Sequence, residues 1–453
     1  MKIKEEIFRS YDIRGIYPSE INEEVAFFVG RAFVRFLKKK NPKIVIGRDN
    51  RLSSDILFKN LCQGILEEGG KILDIGLVPT PMFYFGAVKL KADGGIQITA
   101  SHNPPEYNGF KLVREKAFPI GKKTGLKKIQ KIIQSLVEKK EKIPEIKKTK
   151  ILKKDILREY LDFCFRGFEA ENWKRLKIVI DTANAVGGIL LPELKKRLPC
   201  QVFPLFEKLD GSFPNHLPDP LKKENIKVLS QKVKEKRADL GVAFDGDGDR
   251  ILFVDEKGKM VSGDLILALI SFVLLKEKPG LKILYDIRSS KIVREIIKKH
   301  KGKGYVCRIG HSFIKEKMRK EDIFFGGEFS GHYYTKRAFF SEDPFFVMFK
   351  VLEILSQQKK KFSEILKPFK KYFHSGEINF SVKDKEKALK FLEKKYQKGK
   401  ITKIDGLRVD FKDWWFLARP SGTENLLRLV VEADNKKLME KKKKELSRLI
   451  SSF

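Results

Sequence analysis

The chain has 453 residues, which at roughly 100–200 residues per domain predicts three or four domains. Hydrophobic residues make up 42% of it and aromatic residues 11%, enough to build packed cores and to exclude a wholly disordered protein. Lysine and arginine number 95 against 59 aspartates and glutamates, a formal net charge of +36. That excess indicates an anionic partner: a nucleic acid, a membrane surface or a phosphorylated substrate.

The cysteine pattern and the apolar runs indicate the compartment. Cys62, Cys164, Cys200 and Cys307 are far apart and form no CxxC pair, so neither a zinc site nor a disulfide framework is predicted. The first residues lack the apolar stretch of a signal peptide. The longest apolar run, residues 265–275, is shorter than the roughly 20 residues of a membrane-spanning helix. We therefore expect a cytoplasmic protein with no membrane partner.

Three segments of the chain share one order of elements. Each has a short β-branched apolar run, then a polar loop, then a stretch with helical periodicity, starting at Lys43, Lys177 and Lys282. A second strand-like run follows each of them, from Lys71 (KILDIGL), Cys200 (CQVFPLFE) and Tyr305 (YVCRIGHSFI). Strands that alternate with helices predict parallel βαβ units. The threefold pattern therefore predicts three related α/β domains.

The last stretch of the chain has a different pattern. GEINFSV, KITKIDGLRVDF, WWFLARPSG and LLRLVVEA resemble strands, some joined by short turns, and helical periods cover residues 385–396 and 436–453. This predicts an α+β domain. Lysine-rich stretches at residues 138–154 and 356–371 resemble solvated connectors. We predict domains over residues 1–148, 149–257, 258–365 and 366–453.

The strongest local motif is an acidic loop between the strand-like runs GVAF and ILFVDE. Asp245, Asp247 and Asp249 alternate with glycines, which let the loop curl until the three carboxylates converge. Such hard oxygen ligands suit Mg²⁺ or Ca²⁺. An EF-hand is excluded because Arg250 occupies the position that needs glycine and strands flank the loop. The alternative is a solvated acidic turn.

Three further loops carry polar chemistry, each with an ordinary turn as the alternative. Ser101, in the proline-braced loop TASHNPP, is a candidate nucleophile or phosphoryl carrier. GGEFSGH at residues 326–332 combines a carboxylate, a hydroxyl and an imidazole, which suits the recognition of sugar hydroxyls. RPSGTEN at residues 419–425 offers one arginine, two hydroxyls and glycine-exposed N–H groups, a plausible phosphate site.

Together and in this order, the four loops resemble those of the α-D-phosphohexomutase superfamily, and within it the bifunctional phosphomannomutase/phosphoglucomutase group. FRSYDIRG at residues 8–15 matches as well, as do GLVPTPMFYF, DGSFPNHLPDP and GHSFIKEKM, so the resemblance covers essentially the whole chain. It implies three related mixed-sheet α/β domains plus a C-terminal α+β domain around a central active-site cleft. The serine, metal, sugar and phosphate loops would belong to the first to fourth domains in that order.

The resemblance also implies roles for individual residues. Ser101 would carry the phosphoryl group, and Asp245, Asp247 and Asp249 would bind one Mg²⁺ together with a phosphoserine oxygen. Arg14, Arg250, Lys111 and His311 would act at the same centre, the last two as candidates for the general acid/base. The implied substrate-binding residues are Tyr11, Arg288, Glu328, Ser330, His332, Arg419, Ser421, Gly422 and Thr423, with Glu328 and Ser330 on the O3 and O4 hydroxyls.

The implied reaction moves a phosphoryl group between O1 and O6 of mannose and glucose phosphates. A phosphoserine donates its phosphoryl group, a hexose 1,6-bisphosphate forms and turns over in the cleft, and the other phosphate returns to the serine. Glucose 1,6-bisphosphate would serve as primer. The expected partners are small hexose phosphates, with no specific nucleic acid and no membrane, and the expected state is a monomer or a weak homodimer.

Two departures from the pattern and three alternatives remain. Relatives commonly have lysine where this chain has Arg288, and arginine is a poor proton donor. Ser341-Glu342-Asp343-Pro344 stands where relatives often have aspartate followed by glycine, so substrate preference or hinge behaviour is expected to differ. The alternatives are a phosphoglucosamine mutase, which Phe329 argues against because that group typically has glutamine there, a basic nucleic-acid-binding protein, and a catalytically inactive homologue.

Overall fold

A computed structural model describes residues 3–139, 151–421 and 426–453 of the chain. Four sheets follow one another along it. The strands predicted to start at Lys43, Lys177 and Lys282 all begin at those residues, and the apolar run after each first lysine is largely buried. Runs that are apolar on both faces suit strands covered by helices on both sides of a sheet.

The first sheet is mixed and has seven strands. Its strands are β1 (Ile13–Ile16), β2 (Lys43–Arg48), β3 (Lys71–Leu77), β4 (Gly94–Ile98), β5 (Tyr107–Arg114), β6 (Phe118–Pro119) and β7 (Leu152–Lys153). Its helices are α1 (Glu23–Leu37), α2 (Ser54–Glu67), α3 (Thr80–Lys89) and α4 (Lys127–Glu138). The strand order is β1-β5-β4-β2-β3-β7, with β6 on β5. Because β2 and β4 run parallel, their carboxyl ends meet at one edge of the sheet.

The second sheet has five strands in the order β12-β11-β10-β8-β9. In chain order its elements are α5 (Leu157–Phe165), β8 (Lys177–Asp181), α6 (Leu191–Arg197), β9 (Gln201–Leu205), α7 (Lys227–Glu235), β10 (Leu240–Phe244), β11 (Ile251–Asp255) and β12 (Met260–Val261). Strands β10 and β11 are antiparallel neighbours, and the acidic loop connects them as the sequence predicts.

The third sheet also has five strands, in the order β14-β13-β15-β16-β17. Its elements are α8 (Gly263–Glu277), β13 (Lys282–Asp286), α9 (Lys291–Lys299), β14 (Lys303–Cys307), α10 (His311–Glu321), β15 (Phe325–Gly327), β16 (Tyr333–Thr335), β17 (Ser341–Glu342), α11 (Pro344–Gln357) and α12 (Phe362–Ile365). The sugar-loop candidate connects β15 and β16.

The fourth sheet is antiparallel throughout its six strands, with order β18-β23-β22-β21-β20 and β19 on β23. Its elements are β18 (Phe373–His374), β19 (Ile378–Ser381), α13 (Lys385–Lys395), β20 (Lys400–Thr402), β21 (Leu407–Asp410), β22 (Trp414–Pro420), β23 (Leu426–Ala433) and α14 (Lys436–Ile450). The predicted order of three α/β units followed by one α+β unit is confirmed.

Two local predictions are wrong. The run from Tyr305 is a strand only as far as Cys307, and α10 begins at His311 because Gly310, with φ of 121°, turns the chain between them. The lysine-rich stretch 356–371 is not merely a solvated connector, since two of its own side chains, Phe362 and Leu366, are buried. Most of the other connector, residues 140–150, lies outside the described residues.

The buried apolar side chains form several separate clusters. One continuous cluster of buried side chains runs through the first three sheets, from Val45 to Phe369. A second cluster, from Ile7 to Leu136, lies in the first unit alone, and a separate cluster fills the fourth. A small group that includes Ile287 and Trp415 joins the third and fourth units.

No helix in the described parts of the chain is long and apolar enough to cross a membrane. The exact domain limits stay predictions, although β7 pairs with β3 and thus lies in the first sheet.

Candidate active site

Ser101 lies on a strained loop just after β4. Its φ of 52° is in the left-handed region, which is costly for a residue other than glycine and persists only where neighbouring contacts fix the backbone. The Arg51 guanidinium supplies those contacts. It donates to the carbonyl oxygens of Ser101 at 2.8 Å, Asn103 at 2.6 Å, Pro104 at 2.6 Å and Tyr107 at 2.9 Å.

Arg51 is a site residue that the sequence analysis missed. Its side chain is fully buried, and its Nε lies 3.2 Å from a carboxylate oxygen of Asp49. Asp49 in turn accepts a hydrogen bond from the Ser54 hydroxyl at 2.7 Å. The available signal was positional: both residues follow β2, whose carboxyl end lies beside that of β4. Polar residues at adjoining strand ends are candidates for one site.

The acidic loop packs directly against the serine loop. Asp245, Asp247 and Asp249, called here the aspartate triad, are buried, and one carboxylate oxygen from each lies within 4.8 Å of the others. The Ser101 hydroxyl donates to Asp245 at 2.8 Å. A Cβ atom on Gly246 would lie 2.2 Å from the Ser101 carbonyl oxygen, so only glycine permits this approach.

One lysine and one hydroxyl contact the triad. Lys111 Nζ lies 2.6 Å from oxygens of both Asp247 and Asp249, and Thr80 donates to Asp247 at 2.6 Å. Burial and the two neighbouring carboxylates raise the pKa of Asp245 well above its usual range. The other oxygen of Asp247 has no hydrogen-bond partner among the described residues. A buried all-oxygen donor set with a spare acceptor fits a hard divalent cation.

The sugar-loop residues meet the triad through His332. His332 Nε2 lies 3.2 Å from Asp249 and its Nδ1 lies 3.0 Å from Glu328. Burial alone would lower the pKa of His332, but the two carboxylates raise it to about 9. The Ser330 hydroxyl lies 3.1 Å from His332 Nδ1. Glu328 is buried and also accepts from Tyr334 at 2.7 Å, so its carboxylate is held in place.

Four further predicted residues contact the serine loop, the sugar loop or one another. Arg14 donates to the Asn103 side chain at 2.8 Å, and the rings of Tyr11 and His311 pack edge to face at 5.1 Å. Arg250 Nε lies 3.2 Å from His332 Nε2. Burial and the charges of nearby lysines hold the pKa of His311 well below its usual range. We use the name transfer end for the aspartate triad together with Ser101, Arg14, Tyr11, Lys111, Arg250 and His311.

The phosphate end, defined as Arg288, Glu377, Arg419 and Arg428, lies between the third and fourth sheets. Arg288 is bound to Asp286 at 2.6 Å and lies 3.8 Å from Glu328 in the sugar loop. Arg419 is the last residue but one of β22. The largely buried Ser421 is the first residue after that strand. The predicted Gly422 and Thr423 lie outside the described residues. Glu377 and Arg428 were not predicted, since neither lies in a recognisable motif.

The unusual segment Ser341-Glu342-Asp343-Pro344 has a structural explanation. The Asp343 carboxylate accepts from the Phe346 N–H at 3.2 Å, and Pro344 is the first residue of α11, so the pair starts a helix. Glu342 forms a fully buried ion pair with Lys315 at 2.6 Å. Burial lowers the pKa of Lys315 to about 8 despite that partner.

Comparison with known sequences decides the family. Four sequence profiles of phosphoglucomutase/phosphomannomutase match in order: alpha/beta/alpha domain I at residues 5–140, domain II at 158–258, domain III at 262–372 and the C-terminal domain at 377–449. The chain belongs to the phosphoglucomutase/phosphomannomutase family. The predicted family and fold class are therefore confirmed.

Individual relatives of this phosphoglucomutase/phosphomannomutase family member match over nearly their full length. The phosphomannomutase of Methanocaldococcus jannaschii is 39% identical, covering 99% of this chain and 98% of the relative. The phosphomannomutase/phosphoglucomutase of Pseudomonas aeruginosa strain PAO1 is 37% identical over 96% and 93%. The crystal structure of a phosphoglucomutase/phosphomannomutase family protein from Burkholderia thailandensis superposes with a TM-score of 0.88 at 31% identity, covering 100% and 98%.

Proposed function

We propose that the chain is a phosphohexomutase that transfers a phosphoryl group reversibly between O1 and O6 of mannose and glucose phosphates. The observation that carries the proposal is the contact between two loops from different sheets: Ser101, held in a strained conformation, donates to the buried aspartate triad. A fixed hydroxyl beside a cation site is what a phosphoryl carrier needs, because phosphoryl transfer depends mainly on positioning and charge neutralisation. The names of the relatives agree with this reaction.

The residues at the transfer end divide the work by charge. The aspartate triad would hold one Mg²⁺, which supplies positive charge to the phosphoryl oxygens when bound. Lys111 keeps its proton because its two carboxylate partners outweigh burial and raise its pKa well above the usual range. Lys111 and Arg250 therefore contribute fixed positive charge near Ser101. Arg14 anchors the serine loop through Asn103.

The transfer step balances with one proton acceptor. The bond between phosphorus and Ser101 Oγ breaks as a bond forms between phosphorus and the free hydroxyl of the bound hexose phosphate. The sugar hydroxyl loses its proton to a base, and the conjugate acid of that base returns the proton to the Ser101 oxygen. Of the two predicted acid/base candidates, His311 suits the proton transfer, since its lowered pKa leaves it neutral near pH 7. The second transfer reverses these changes after the bisphosphate has turned.

Sugar recognition falls to the loop after β15. Glu328 and Ser330 would bind the O3 and O4 hydroxyls, with His332, Tyr11 and Arg288 lining the same space. Because mannose and glucose differ only at C2, contacts to O3 and O4 admit both sugars. Arg419 and Ser421 would bind the phosphate that is not transferred, together with Gly422 and Thr423 from the loop outside the described residues.

A coupled assay with the 1-phosphates of mannose, glucose and glucosamine, primed with glucose 1,6-bisphosphate, tests the proposal. We expect turnover of the first two with kcat/KM at least about tenfold above that for glucosamine 1-phosphate, because Phe329 offers an amino sugar no hydrogen bond. A preference for glucosamine 1-phosphate would instead identify a phosphoglucosamine mutase. Absence of turnover with all three would contradict the proposed reaction.

Other parts of the proposal concern partners and location. We propose a cytoplasmic monomer or weak homodimer without specific nucleic-acid binding. Titration with DNA and RNA at physiological salt tests the last point, because binding that depends only on counterion release weakens steeply with salt. Persistent binding with sequence preference would contradict it.

A further inference from the structure

At the phosphate end, a carboxylate of the chain itself lies between two arginines. Glu377 Oε2 accepts from Arg419 Nη2 at 3.3 Å, and Glu377 Oε1 accepts from Arg428 Nη1 at 3.1 Å. Each oxygen thus contacts a different guanidinium group. A phosphate bridges two arginines in the same manner, with separate oxygens on separate cations.

Three arginines surround Glu377 at this end. Arg288 also faces Glu377, at 3.8 Å, but it is bound more closely to Asp286, at 2.6 Å. Glu377 therefore lies closer to Arg419 and Arg428 than to Arg288. A phosphate dianion carries about twice the charge of the Glu377 carboxylate and would therefore interact more strongly with these cations.

Glu377 is ionised in this position. Burial alone would raise its pKa, but the charges of Arg288, Arg419 and Arg428 hold the pKa below its ordinary value. Arginines in a largely buried place need a counter-charge, because an unpaired buried cation is costly. Glu377 fills that need from within the chain.

The location of Glu377 connects the phosphate end with the sugar loop. Glu377 follows β18 at the start of the fourth sheet, and Gly376 just before it has φ of 73° with open space where a Cβ would stand. Within β18, the ring of His374 stacks on that of Phe329 at 4.8 Å and 19°. A shift of the Glu377 segment would therefore be felt at the sugar loop.

We propose that Glu377 competes with the non-transferred phosphate of a bound hexose phosphate for the arginines of the phosphate end. This positioning role rests on the proposed function. Competition from Glu377 weakens phosphate binding, and that lets the bisphosphate leave the arginines and turn between the two transfer steps. An enzyme whose clamp bound phosphate without competition would hold substrate more tightly and turn over more slowly.

The test is Glu377→Gln, which keeps the size of the side chain and removes its charge. Calorimetry with dephosphorylated enzyme and glucose 1-phosphate gives the dissociation constant, and the primed assay gives kcat and KM. We expect the dissociation constant and KM to fall at least about threefold and kcat to fall by a similar factor, the combination expected when a competing ground-state interaction is removed. A purely structural role for Glu377 would instead raise KM.

The control is Glu393→Gln, which removes one negative charge from the same domain. Glu393 pairs with Lys403 at 2.6 Å on the surface of the fourth domain, away from the arginines, and its loss should leave all three constants unchanged. Equal effects of the two variants would show that net charge alone is responsible and would overturn the proposal. Unchanged or weaker binding in Glu377→Gln would overturn it as well.

A second variant covers the case in which Glu377→Gln does not fold, as judged by circular dichroism. Glu377→Asp keeps the charge but draws the carboxylate back by one methylene group, so we expect the same directions with smaller changes. A raised dissociation constant would overturn the proposal. Absence of hexose phosphate binding by the wild-type protein would refute the proposed function itself, a result distinguishable from normal wild-type binding with an unaffected variant.

Discussion

At the transfer end, Ser101 and the aspartate triad are held by buried contacts within three domains that one cluster of buried apolar side chains connects. At the phosphate end, the arginines belong largely to a fourth domain with its own core, and ion pairs of 3.1–3.8 Å join them to Glu377. One end is fixed before substrate arrives, which suits electrostatic stabilisation of the transferred group. The other end is joined by longer ion pairs, and we expect it to adjust when the intermediate is released and bound again in a second orientation.

The most severe way to break the transfer end is Ser101→Ala. We expect kcat to fall by at least roughly 10³-fold, because no other side chain can carry the phosphoryl group in the same place. The fold should survive, since among the described residues the Ser101 hydroxyl is within hydrogen-bond distance only of Asp245 and His102. The primed assay measures the loss, and thermal melting checks the fold. Activity close to that of the wild type, with carry-over of bound bisphosphate excluded, would refute the phosphoserine assignment.

Removal of divalent cations attacks the same end without changing the sequence. Exhaustive chelation with EDTA should reduce turnover by roughly 10²-fold or more, and added Mg²⁺ should restore it, because the triad then lacks its cation. The phosphate end contains no candidate metal cluster in the described residues and should still bind glucose 1-phosphate. Full activity after chelation would contradict the metal role of the triad.

Arg51→Lys tests whether the fixed geometry matters for the chemistry. Lysine keeps the charge but cannot donate to four carbonyls at once, so the serine loop should lose its exact placement. We expect kcat to fall about 10–100-fold with KM nearly unchanged, because a small misplacement of reacting groups is costly. Arg197→Lys, at an exposed ion pair, is the matched control and should behave as the wild type. A change confined to KM would place Arg51 in substrate binding instead.

Arg419→Ala sharpens the comparison from the other side. Loss of one arginine of the proposed phosphate site should raise KM by about tenfold and change kcat much less, since the transferred group would be bound elsewhere. Arg448→Ala, at an exposed position on α14, serves as the control. If kcat fell as strongly as in Arg51→Lys while KM stayed constant, the division into a fixed end and an adjustable end would be wrong.

Much of the fold could be predicted because its signals are local. The β-branched runs after Lys43, Lys177 and Lys282 are strands where expected. The run from Tyr305 misled because its alternation continues past Cys307, and only the backbone at Gly310 ends the strand. Nothing in the structure explains most of the lysine excess, since few of its cations lie at the site.

The site shows the same difference between residues with a local sequence signal and residues without one. The aspartate triad was found because its members are neighbours in sequence and form a motif. Arg51, Thr80 and Glu377 were missed because their roles depend on distant partners: Thr80 meets Asp247 across 167 positions, and Glu377 meets Arg419 across 42. Such contacts follow from which loops the sheets bring together, and a single sequence does not specify that arrangement.

The close approach of Gly246 to the Ser101 carbonyl has a consequence for reading genomes. A methyl group at this position has no room, so one substitution to alanine would separate the two loops while leaving every charged residue of both motifs intact. A gene copy with that substitution would still look complete to a search for the serine and the aspartates. The glycine at position 246 is therefore expected to distinguish active copies of this gene from inactive ones.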